Sequence, residues 1–194
     1  MPISHKHKAV FVHIPKTGGQ SVSSMLGIAK NSVANLYADM LTHLSIDLIE
    51  QRADITNKYI FAFVRDPYTK ILSEYDWRMR NRSSIIYNEP SDQMMSFPDY
   101  MNRLYYRWPF MGEVEHHLKA HILPQHTFID ERVDVYRFES FGESVEKIMG
   151  ILGIPCKLKH VNRGPTHQRH TKRTIEIVNE LYEQDFKQFG YEFR

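Results

Sequence analysis

The chain is most informative first in what it lacks. A single cysteine, Cys156, among 194 residues excludes any disulfide within the chain. No apolar run is long enough to cross a bilayer, and the N-terminus Met1-Pro2-Ile3-Ser4-His5-Lys6-His7-Lys8 carries no apolar signal region, so the expectation is a cytoplasmic protein with no membrane partner. A surplus of charge of one sign is missing too. The formal net charge is +2 and the charges are mixed along the chain, which argues against a general nucleic-acid binder. There is no internal repeat and no low-complexity segment. A length of 194 residues suffices for one well-buried core, so a single domain over 1–194 with insertions is expected.

What is present is organised around His13-Ile14-Pro15-Lys16-Thr17-Gly18-Gly19-Gln20-Ser21. An apolar run, Lys8 to Val12, precedes it and reads as a buried strand. Val22, Met25, Leu26 and Ala29 follow at helical spacing. Adjacent glycines between a strand and a helix let successive N–H groups converge on an anion at the mouth of the helix. Lys16, Thr17 and Ser21 add an ammonium and two hydroxyls, all donors to anionic oxygen. A P-loop NTPase would place the lysine directly after its last glycine, with a hydroxyl beside it for magnesium. Here the lysine precedes the glycines, and no strand ends in an aspartate suited to a second magnesium contact. Anion transfer without a metal fits these residues better.

The stretch Pro15 to Ser21 resembles the 5′-phosphosulfate loop of sulfotransferases that use 3′-phosphoadenosine 5′-phosphosulfate (PAPS), within the carbohydrate-type branch called sulfotransferase family 2. A second signature of that family, a strand ending in Arg-Asp-Pro followed by a helix with a serine, is matched by Phe61 to Tyr75, which contains Arg65-Asp66-Pro67 and Ser73. Weaker likeness continues through His121-Ile122-Leu123-Pro124-Gln125, Arg137-Phe138-Glu139 and Asp185 to Tyr191. The resemblance implies a P-loop-like three-layer α/β fold with a central parallel sheet flanked by helices. It implies PAPS as sulfuryl donor, held by Lys16, Thr17, Gly18, Gly19, Gln20 and Ser21 at its 5′ end and by Arg65 and Ser73 at its 3′-phosphate. The implied acceptor is a carbohydrate or another small hydroxyl compound.

The remaining elements follow from pattern. Val33 to Met40 reads as an irregular strand, and Ile46, Leu48 and Ile49 as a short helix after Thr42-His43-Leu44-Ser45. Lys58 to Val64 reads as the central strand. Asp66 and Pro67 cap a helix whose buried stripe is Tyr68, Ile71, Leu72, Tyr75 and Met79. The polar stretch from Asn81 to Met95 reads as an exposed loop, either a lid or a disordered insertion. Ser96 and Asp99 open a helix with Phe97, Tyr100, Met101, Leu104, Tyr105 and Trp108 on its apolar face, and Tyr106 or Trp108 is also a candidate for stacking on a sugar. Thr127 to Ile129 and Val133 to Phe138 read as two strands around a turn at Asp130-Glu131. Ser140 with Glu143 reads as a cap for a helix ending at Gly153, and one last helix carries Ile175, Val178, Leu181, Tyr182, Phe186 and Phe189 up to Gly190.

Sulfuryl transfer needs a cation for the leaving oxygen and a base for the acceptor hydroxyl. Lys16 suits the first role. His43, between the two cofactor motifs, is the candidate base, with a structural histidine as the plainer reading and Glu74 as the reserve. His117 and His121 stand one helical turn apart, but no third ligand accompanies them, so no metal is expected. His13 reads as a positioning residue. The basic stretch from Lys157 to Arg173 reads as a cover for the nucleotide, a contact for an anionic acceptor or a solvated loop. Two other functions remain open on these residues: a P-loop-type nucleotide kinase or NTPase, and a catalytically idle nucleotide-binding module.

Overall fold

The computed structural model describes residues 2–28, 42–81, 95–113, 119–155 and 168–194. The expected strand over 33–40, residues 82–94 of the expected 81–95 loop, His117 and the basic residues Lys157, Lys159 and Arg163 lie outside the described residues. The chain divides into two compact units, Met1–Arg65 with Gln125–Arg163 and Asp66–Pro124 with Gly164–Arg194. Among the described residues no helix is long and apolar enough to cross a membrane.

The first unit is built on a four-stranded sheet in the order β1 (Ile3–Ser4), β2 (Ala9–Val12), β3 (Tyr59–Val64), β4 (Asp134–Arg137). β2, β3 and β4 run parallel, with Phe11 opposite Phe61 and Val64 opposite Arg137. β1 runs antiparallel to β2, Ile3 opposite Val10, so the sheet is mixed and not wholly parallel as expected. Two residues are too few to show a period, and the polar His5-Lys6-His7-Lys8 turn, with Lys8 left-handed at φ 49°, hides the reversal. All four residues of β2 are buried, as suits a strand with neighbours on both edges.

Helices α1 (Gly19–Met25) and α5 (Phe141–Ile151) pack on this sheet. Val22 and Leu26 from one and Val145, Ile148 and Met149 from the other share a cluster with Phe11, Phe61 and Phe63. Fully burying side chains of this size contributes about 1.5–3 kcal/mol each. The short helix α2 (Ile46–Glu50) starts where Ser45 accepts the Leu48 N–H at 3.4 Å. Two expectations fail in this unit. Gln125–Phe128 is a 3₁₀ turn and not a strand, because the Gln125 side chain turns inward to bond main chain, so no hairpin forms and β4 joins β3 in parallel. Ser140 makes no side-chain cap for α5, since a 3₁₀ turn, Phe138–Ser140, runs straight into the helix.

The second unit is helical: α3 (Pro67–Asn81), α4 (Phe97–Arg107), α6 (Lys172–Leu181) and α7 (Glu183–Phe189). Asp66 accepts the Thr69 N–H at 2.8 Å and Pro67 opens α3; Ser96 does the same for α4 through the Asp99 N–H at 3.3 Å. Tyr68, Ile71, Tyr75, Phe97, Tyr100, Leu104, Val178 and Phe186 make the core, while Tyr106 is 73% exposed. The expected single last helix is two, broken at Tyr182 (φ −119°, ψ 22°), and Thr171 with Thr174 forms the capping box that starts α6. His170 donates through Nε2 to the Tyr68 carbonyl at 3.0 Å, and its burial holds the imidazole below its usual pKa.

Candidate active site

The loop between β2 and α1 departs from regular backbone at two residues, Lys16 (φ 68°) and Gly18 (φ 83°). A lysine in the left-handed region is uncommon, and its Cβ costs about 1–2 kcal/mol there. The two glycines are required for different reasons. Gly18 is the left-handed N-cap of α1, and a Cβ on it would also come within 2.8 Å of the Phe141 ring. Gly19 needs no special dihedral; a Cβ there would sit 1.7 Å from Nε2 of His13, so the imidazole occupies the space a side chain would take. Phe11 stacks on that same ring, centroids 5.2 Å apart. His13 is thus a packing element under the loop.

Thr17 is fully buried and its hydroxyl donates to the Ile14 carbonyl at 2.8 Å, which closes the turn instead of presenting that proton outward. Ser21 is buried, Gln20 exposed and Lys16 half-buried. His43 reaches the same loop. Its Nδ1 lies 2.8 Å from the His13 carbonyl, and the two imidazole centroids are 4.4 Å apart. A carbonyl can only accept, so Nδ1 carries the proton and the lone pair of the neutral ring is on Nε2.

Arg65 is the first residue past β3. Its Nη1 donates to the Lys16 carbonyl at 3.2 Å, and its guanidinium lies 4.6 Å from the centroid of Phe138. The structure therefore brings the loop and the Arg-Asp-Pro motif into direct contact. Sequence reasoning gave no role to Gln125, which receives the Arg65 N–H on Oε1 and donates from Nε2 to the Arg65 carbonyl, both at 2.8 Å. The available signal was a glutamine directly after Leu123-Pro124, too slight to specify a partner.

The other candidates lie in the second unit. Ser73 is half-buried in the middle of α3. Glu74 is fully buried: its Oε1 stands 2.6 Å from Nε of Arg78, and its Oε2 accepts from Nδ1 of His121 at 2.8 Å. The reserve base is therefore committed to a buried ion cluster. Among the described residues no group of three or more His, Cys, Asp or Glu side chains is placed to hold a metal ion.

The donors that surround Lys16 suit an anion with several oxygens. From Lys8 to Ile28 the chain has no acidic side chain, while it offers an ammonium, hydroxyls and the N–H groups of a glycine turn. A family model described as the sulfotransferase family matches residues 1–192. No curated protein and no solved structure matches the chain. The matched range takes in the loop, the Arg-Asp-Pro strand end and both compact units, and on it the chain belongs to the sulfotransferase family, as a member of the family 2 type.

Proposed function

We propose that the protein transfers a sulfuryl group from PAPS to the hydroxyl of a carbohydrate or other small acceptor, with 1–194 acting as one domain on a P-loop-like frame. The observation that carries this reading is the bond from Arg65 to the Lys16 carbonyl, which joins the two motifs inside a chain the family model covers. Bound PAPS supplies the sulfuryl group and a nucleotide leaving group. Lys16, Gly18, Gly19, Gln20 and Ser21 hold its 5′ end, with Thr17 contributing through the turn its hydroxyl closes. Arg65 takes the 3′-phosphate, since a planar guanidinium can meet two phosphate oxygens. Ser73 is assigned to that phosphate by resemblance alone.

Lys16 offsets charge that builds on the leaving oxygen, an interaction stronger in the transition state than in the ground state. His43 takes the acceptor proton on Nε2, and the His13 carbonyl keeps it in the tautomer that can do so. No role is given to a metal. The test is calorimetry with adenosine 3′,5′-bisphosphate and adenosine 5′-phosphate in metal-free buffer, beside ATP in buffer with magnesium. The wild type should bind the bisphosphate best, and Arg65→Ala should weaken that ligand by about 1.5–3 kcal/mol, the scale of a charge-assisted contact, while sparing the monophosphate. Equal losses for both would remove Arg65 from the 3′-phosphate. Preference for ATP with magnesium would favour a kinase.

A further inference from the structure

We infer that Gln125 is a positioning residue for Arg65, extending the β3–β4 ladder by one residue so that the guanidinium is presented in a set place. The ladder ends at Val64 opposite Arg137. Arg65 is the next residue, and a strand neighbour would satisfy its N–H and C=O. Instead, the carboxamide of Gln125 does both, at 2.8 Å each, from a fully buried side chain. A primary amide is the side chain for this task, having one acceptor oxygen and a donor nitrogen at peptide-like spacing. The far end of Arg65 is then set by the Phe138 ring and the Lys16 carbonyl. These contacts come from an amide, a carbonyl and a ring, each of which orients the side chain without carrying a charge of its own. Fixing both ends of a flexible arginine also reduces what binding must order.

This rests on the proposed nucleotide role of Arg65, and the experiment separates the two. Wild type, Gln125→Met, Gln125→Glu, Arg65→Ala and the Gln125→Met/Arg65→Ala double variant are titrated with adenosine 3′,5′-bisphosphate and adenosine 5′-phosphate, each beside a melting curve. Gln125→Met keeps the volume and loses both bonds. It should bind the bisphosphate about 10-fold to 100-fold more weakly, the scale on which a misplaced group is felt, with little change for the monophosphate and no further loss once Arg65 is alanine. Gln125→Glu adds a readout that a purely structural role would not move. Its carboxyl reproduces both bonds only when protonated, because ionised it has nothing to donate. The ratio of its bisphosphate affinity to that of wild type should therefore recover between pH 8 and pH 5 (about three decades of proton activity), and this holds the test open if Gln125→Met does not fold. A lowered melting temperature with unchanged selectivity in both variants, or additive losses in the double variant, would overturn the positioning role while leaving the donor reading intact. A wild type that ignores the bisphosphate would overturn both.

Discussion

The two units hold a half-buried arginine and a buried cation row by different means. In the sheet unit, the contacts that place Arg65 include a side-chain amide, a main-chain carbonyl and an aromatic face. In the helical unit, Lys70, Glu74 and Arg78 follow one another at four-residue spacing on α3, all buried, and Glu74 stands between Arg78 and His121 while Lys70 donates to the carbonyls of His121 and Leu123. An amide, a carbonyl and a ring give geometry without themselves cancelling charge, which suits a group meant to meet an anion. A carboxylate against a buried guanidinium gives mutual neutralisation, which suits a group meant to hold a fold. The backbone shows the same contrast. The left-handed lysine of the loop belongs to the sheet unit, whereas among the described residues of the helical unit the left-handed one is a glycine that ends a helix.

The comparison can be broken at three points. The largest effect is expected at His43, in the sheet unit: His43→Ala should lower the transfer rate by about 10²–10⁴-fold, with bisphosphate affinity unchanged, because a base contributes to the chemical step and no phosphate contact is lost. Initial rates beside calorimetry check it, and a near-normal rate would return His43 to a structural role. Next is Glu74→Ala, which leaves Arg78 buried without this carboxylate and should cost about 3–5 kcal/mol of stability. Urea denaturation measures it; a loss under 1 kcal/mol would mean that the cluster does not hold the helical unit (about 0.6 kcal/mol being thermal energy). The smallest is Lys16→Gly. Relief of the left-handed Cβ and the added freedom of the unfolded chain oppose each other, so stability should stay level or rise by up to about 1 kcal/mol, although transfer is lost. A clear fall in stability would show that Lys16 serves the fold and not only the site.

Much of the molecule was legible because its signals are local. The glycine turn after a buried strand, the Asp66-Pro67 start and the period of Tyr68, Ile71 and Tyr75 all act within a few residues, and each element forms where they put it. The misses share a cause. Thr127 to Ile129 reads as a strand, yet Gln125–Phe128 winds as a 3₁₀ turn whose Gln125 bonds Arg65, 60 positions away. The burial of Lys70, Glu74 and Arg78 has no local signal either, because His121 and the His121 and Leu123 carbonyls that meet this face lie some fifty positions away.

By itself, then, the sequence determined the family, the strand, loop and helix around Lys16 and the starts of the main helices, since capping, glycine freedom and apolar period are properties of neighbouring residues. Tertiary structure alone decided that Gly19 is required by the ring of His13, that His43 carries its proton on Nδ1, that Arg65 is held by Gln125 and Phe138, and that β1 turns the sheet mixed. Each of these depends on which distant groups meet, and burial makes such meetings decisive because a polar atom removed from water must find its partner within the fold.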